Sequence, residues 1–90
     1  MILTWDEPKR LANIDKHGLD FAELTEAFFL NAFVIAAREP RFKAIGRMGD
    51  DTGLVVVFAP LGTQALSIVS MRRASKHERA LIDARQDSNT

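Results

Sequence analysis

An unbroken apolar run, Leu54 to Ala59, lies between two turn clusters, Gly49-Asp50-Asp51-Thr52-Gly53 and Pro60-Leu61-Gly62. With no polar side to give to solvent, the run reads as a strand covered on both faces or central in a sheet. A chain of 90 residues has room for one such core, and so for a single domain over 1–90. The other segments must pack around that strand.

Their patterns are consistent with this. Met1 to Trp5 reads as a short strand, Phe33 to Arg38 as a second and Arg41 to Arg47 as a third, with Pro40 interrupting. Thr63 to Met71 reads as the last strand, with Leu66, Ile68 and Ser70 on one face and Ala65, Ser67 and Val69 on the other. Asp6 is a good helix N-cap and Pro8 suits a first turn. Leu11 and Ile14 carry that helix towards Lys16-His17, where Gly18 can close it. Asp20 and Glu23 resemble a capping box for a second helix, with Phe21, Leu24, Phe28 and Ala32 as its apolar stripe. Ser75 and Glu78 form a capping box for a final helix through about Ala84, and the polar tail 86–90 is expected to fray. The expected class is α+β: an antiparallel sheet with two N-terminal helices and one C-terminal helix.

Composition narrows the function. Twelve basic and twelve acidic residues balance, so no global basic excess announces a nucleic-acid binder, and any anion site must come from local clustering. The absence of Cys removes disulfides, zinc-thiolate sites and thiol catalysis, and fits a cytoplasmic location. The longest apolar stretch, Leu54 to Leu61, is far short of the roughly 20 residues of a spanning helix, and no secretory signal is visible. No metal-ligand cluster or cofactor motif stands out. A core this small favours added stability from a partner.

The strongest local signal is Ser70-Met71-Arg72-Arg73-Ala74-Ser75-Lys76-His77-Glu78-Arg79. Two arginines close a strand, and a capped helix opens directly after them. Guanidinium and backbone N–H groups can converge on one anion at such a junction, and an RNA phosphate is the first ligand to consider. Arg72 and Arg73 cannot both point the same way in a regular strand. If alternation holds, Arg72 falls on the Leu66–Ile68–Ser70 face and is the preferred of the two, unless that face is core. The plainer reading of the pair is salt bridges to Asp or Glu.

The chain resembles the BrnT family, ribonuclease toxins of bacterial type II toxin–antitoxin pairs. The resemblance rests on Trp5-Asp6-Glu7-Pro8-Lys9, Asn13, Lys16-His17-Gly18 and Phe21, then on Arg41-Phe42-Lys43-Ala44-Ile45-Gly46. Ile68 to Ser75 and Glu78-Arg79 complete it, so it spans Trp5 to about Ile82. It implies a RelE-like fold, metal-independent RNA cleavage and neutralisation by a BrnA-type antitoxin with a ribbon-helix-helix part. Operator DNA would be contacted only through that antitoxin, in a two-plus-two assembly. The family often has a Tyr near the position of Ile82, whereas this chain has none.

Metal-free RNA cleavage uses the RNA's own 2′-OH as nucleophile. It requires removal of that proton, stabilisation of the phosphorane and protonation of the leaving 5′-oxygen. Arg suits the phosphorane, and His, or a Lys depressed by neighbouring cations, suits the proton transfers. Lys16, His17, Arg41, Arg72 and Arg73 are the candidates for chemistry. Arg47, Lys76, His77 and Arg79 are candidates for holding or steering substrate. The plainer readings are a His17 at a helix C-terminus, a His77 solvated in a first turn and an Arg41 that is a surface charge. Trp5 and the Phe residues 21, 28 and 29 read as packing, with an edge that could stay open for an antitoxin helix. The rival to an enzyme is a non-catalytic toxin-fold subunit acting as partner and co-repressor. Direct DNA binding is disfavoured, because no helix has a basic recognition face.

Overall fold

The computed structural model describes residues 1–49 and 52–88, with 85–88 as backbone only. Strand β1 (Ile2–Trp5) leads into helix α1 (Glu7–His17), a 3-10 turn (Phe21–Glu23) and helix α2 (Glu26–Asn31). Strands β2 (Phe33–Ala36), β3 (Phe42–Met48), β4 (Thr52–Leu61) and β5 (Ala65–Arg73) follow, and helix α3 (Lys76–Ser88) completes the order. The five strands form one sheet in the order β1-β5-β4-β3-β2.

The apolar run sits in β4, the middle strand, covered on both faces as its composition requires. Leu54, Val56 and Phe58 join Phe21, Phe28, Phe29, Ile68 and Met71 in the main core. Val55 faces the other way and packs with Ile45 and Ile82 beneath α3. Trp5 is a packing residue: its ring meets Phe21 edge-on at 6.3 Å and its Nε1 donates to Glu7.

Four expectations require correction. The sheet is mixed, because β1 runs parallel to β5 while the other neighbours are antiparallel. A parallel neighbour needs a long connection, and β1 and β5 are separated by most of the chain. The expected second helix is broken in two. The Asp20 side chain accepts from the Ala22 N–H and caps only the 3-10 turn. Leu24 is then extended, and Thr25 caps α2 by accepting from the Phe28 N–H at 3.3 Å. Asp20 is held in place by Arg10, which donates to both its oxygens at 2.8 and 3.1 Å and keeps its carboxyl below the usual range. Third, β4 runs through Pro60 rather than stopping before it. There β4 pairs with β5 alone, because β3 begins at Phe42 opposite Phe58, and a strand with one open flank tolerates Pro. Fourth, α3 continues past Ala84 to Ser88. Asp50 and Asp51 of the expected turn, and Asn89 and Thr90 of the expected tail, lie outside the described residues.

One irregularity matters for the site. β4 pairs Val57 with Ser70 but Phe58 with Ile68, so Val69 is an extra residue in β5. Ile68 and Met71 consequently share the main core, three positions apart. Strict alternation from Leu66 to Arg72 therefore fails, and Arg72 lies on the face opposite Ile68.

Candidate RNA site

The end of β5 sends its two arginines to opposite sides. Arg72 turns towards α3, where its Nη1 and Nη2 donate to the two Glu78 carboxylate oxygens, both at 2.8 Å. Glu78 also accepts from the Ser75 N–H at 2.8 Å, while its own N–H donates to Ser75 Oγ at 3.2 Å. The capping box thus forms as its residues suggested, with Arg72 added to it. The Arg72 guanidinium holds the Glu78 carboxyl down at about 2, and Glu78 in turn raises Arg72. The salt-bridge reading therefore holds for Arg72.

Arg73 turns towards α1. Its Nη1 donates to the His17 backbone carbonyl at 3.1 Å. That carbonyl belongs to the last turn of α1, which carries Lys16 and His17 and ends at Gly18. Gly18 takes the left-handed conformation (φ 69°) and donates its N–H to the Ile14 carbonyl at 2.8 Å. A cation near the last turn is favoured by the partial negative charge of the helix end. Residues 56 apart in sequence are joined in this way.

Most of the other candidates gather at the same end of the sheet. Lys76 and His77 are exposed in the first turn of α3. Arg79 leans over Gly53, and Thr52, Gly53, Arg73, Ala74 and Arg79 line a shallow depression. Arg47, opposite Gly53 in the ladder, is ion-paired with Asp83 of α3. Arg41 stands apart. It precedes β3 at the opposite end of that strand from Arg47, about 20 Å away at about 3.3 Å per residue. It cannot share a phosphate with Arg73. Ile82, near which the resemblance implied a Tyr, is only 4% exposed and belongs to the small core under α3. Among the described residues, no group of three or more His, Cys, Asp or Glu could hold a metal ion. Among them, too, no helix is long and apolar enough to cross a membrane.

The sequence reading assigned no site role to Asn13. It is buried within α1 and makes three hydrogen bonds. Its Nδ2 donates to the Leu19 carbonyl at 3.0 Å and to the Met71 carbonyl at 2.9 Å, and its Oδ1 accepts from the Met71 N–H at 3.1 Å. The available signal was a carboxamide one helical turn before His17, on the same helix face.

A family profile described as the ribonuclease toxin BrnT of type II toxin–antitoxin systems matches residues 5–78. This chain belongs to the BrnT family. The 1.1 Å crystal structure of the Brucella abortus ribonuclease toxin BrnT is 48% identical in sequence and superimposes with a TM-score of 0.79. The likeness covers 84% of this chain and 100% of the Brucella chain. No curated protein sequence matches. As a BrnT-family ribonuclease toxin of a type II system, the chain has an antitoxin as partner. The region matched to the BrnT profile includes Lys16, His17, Arg72 and Arg73 and the start of α3.

Proposed function

We propose that the cationic end of β5 is the RNA-cleaving site of this BrnT-family toxin, and that it works without metal. The observation that carries the reading is the bond from Arg73 to the His17 carbonyl, which ties the Lys16-His17 turn to the strand end. Arg73 and Lys16 hold the scissile phosphate and offset the charge that grows on the phosphorane. The 2′-oxygen gives up its proton and bonds to phosphorus, the bond from phosphorus to the 5′-oxygen breaks, and that oxygen takes a proton. His17 is the proton carrier, an imidazole being able both to take and to give a proton. Lys76, His77 and Arg79 draw in the RNA backbone. Arg72 braces the start of α3, Arg47 is held to Asp83, and Arg41 is left to RNA away from the scissile phosphate.

The same reading takes the fold as RelE-like, the location as cytoplasmic and the partner as a BrnA-type antitoxin with a ribbon-helix-helix part. That antitoxin covers the site and carries the complex, two toxins with two antitoxins, to operator DNA.

The test is incubation of antitoxin-free protein with labelled RNA in EDTA. Fragments ending in 2′,3′-cyclic phosphate and 5′-hydroxyl, lost in Arg73→Ala and His17→Ala, are expected. Intact RNA from folded protein, with no growth arrest on expression of the chain, would establish the rival reading of a non-catalytic co-repressor subunit. The engagement of Arg72 by Glu78 is the observation on the rival's side.

A further inference from the structure

We infer that Asn13 is a positioning residue of the RNA site, setting the register of the Lys16-His17 turn against Arg73. The inference rests on the reading that these residues form the site. β1 covers the flank of β5 only as far as Trp5, which pairs with Ile68. Beyond that point, the Asn13 carboxamide accepts from the Met71 N–H and donates to the Met71 carbonyl. A carboxamide has the donor and acceptor of a peptide unit, so Asn13 supplies one further rung where the strand has run out.

The spacing completes the argument. Asn13 and His17 are one helical turn apart on α1, about 6 Å along its axis. Met71 and Arg73 are two residues apart on β5, about 6.6 Å along the strand. The rises match, so fixing Asn13 on Met71 brings the His17 carbonyl level with Arg73, where the second bond forms. The third bond, to the Leu19 carbonyl, fixes the chain just beyond Gly18 and holds the turn from the other side. No buried side-chain polar atom among the described residues lacks a partner. The clamp is thus fully satisfied, which is what gives a polar group in a core a single geometry.

The test is a double-mutant cycle in single-turnover RNA cleavage, with Asn13→Ser, Arg73→Ala and the double variant, each normalised to its folded fraction. Asn13→Ser is expected to slow the cleavage step about 30-fold while changing RNA affinity less than about threefold, since a misplacement near 1 Å can cost about a hundredfold. On an Arg73→Ala background, Asn13→Ser should slow cleavage less than about twofold, because the register then has nothing left to position. In NMR spectra the Arg73 Nε–Hε resonance should shift in Asn13→Ser and remain in place in Leu11→Ala, which trims an exposed side chain of the same helix. If Asn13→Ser does not fold, Asn13→Asp, which keeps only the bond from the Met71 N–H, is held to the same criteria. Multiplicative effects in the cycle, or an Arg73 resonance unmoved, would overturn the inference. A wild-type protein that leaves RNA intact while the resonance shifts would sink the ribonuclease reading and leave the positioning geometry standing.

Discussion

Arg72 and Arg73 are the same residue type at neighbouring positions, and the fold gives them different work. Arg72 spends its fork on one carboxylate, in a bidentate pair that also completes the cap of α3. Arg73 spends one N–H on a helix-end carbonyl and is exposed. A guanidinium matched to a carboxylate is largely neutralised, whereas one matched to a carbonyl keeps its charge for an incoming anion. A pair of arginines at a strand end is therefore not a unit. The face each one takes decides whether its charge is matched by a carboxylate or left open to solvent.

The largest expected separation is in activity. Arg73→Ala should lower the RNA cleavage rate by about a hundredfold or more, the scale of losing one charge-stabilising donor. Arg72→Ala should lower it less than about fivefold once unfolded protein is discounted. Single-turnover cleavage of one labelled RNA measures both, and equal losses would erase the distinction drawn between the two.

The packing beneath α3 is the next test. Ile82→Ala should cost about 2–3 kcal/mol in urea unfolding, because the residue is buried with Ile45 and Val55. If the loss is this large while cleavage by the folded fraction is unchanged, position 82 is structural in this chain.

Of the two arginines, only Arg72 should respond to acid, in addition to the separate Arg10–Asp20 pair on α1. The Glu78 carboxyl has an ordinary value of 4.5 and is lowered to about 2 in the folded protein. Its contribution is complete above about pH 4.5 and is lost as pH falls towards 2. Arg72 is 40% exposed, so solvent screening leaves a contribution of about 1 kcal/mol. Glu78→Gln should remove that part of the stability profile, as read from thermal unfolding between pH 2 and pH 6. An acid slope in the wild type no steeper than the variant's would show that the pair contributes nothing.

The smallest effect belongs to Arg41. From the far end of β3, Arg41→Ala should alter cleavage less than about threefold and weaken binding only of RNAs long enough to reach it. A hundredfold loss on a short oligonucleotide would place a second functional centre at that end.

Local chemistry was legible where it acts over a few residues. The Leu54–Ala59 run could only be central, Gly18 closed α1, and Ser75 and Glu78 made the cap their spacing requires. The cationic junction at residues 70 to 79 was likewise visible as a strand meeting a capped helix. What misled was an assumption of regularity. Alternation carried from Leu66 gave Arg72 the face of Ile68, and the single extra residue Val69 reversed it. A bulge leaves no mark in periodicity, because it depends on how β4 lies alongside.

The sequence by itself determined the α+β class, the central strand, two of the helix caps and the cationic junction, since each follows from contacts spanning at most a few residues. Only the tertiary structure decided that β1 runs parallel beside β5, that Arg41 is remote from Arg73, and that Asn13 and His17 meet Met71 and Arg73. Those pairings join residues 56 and 58 apart in the chain. They depend on where the backbone returns, which is set by burial of the whole core rather than by any one segment.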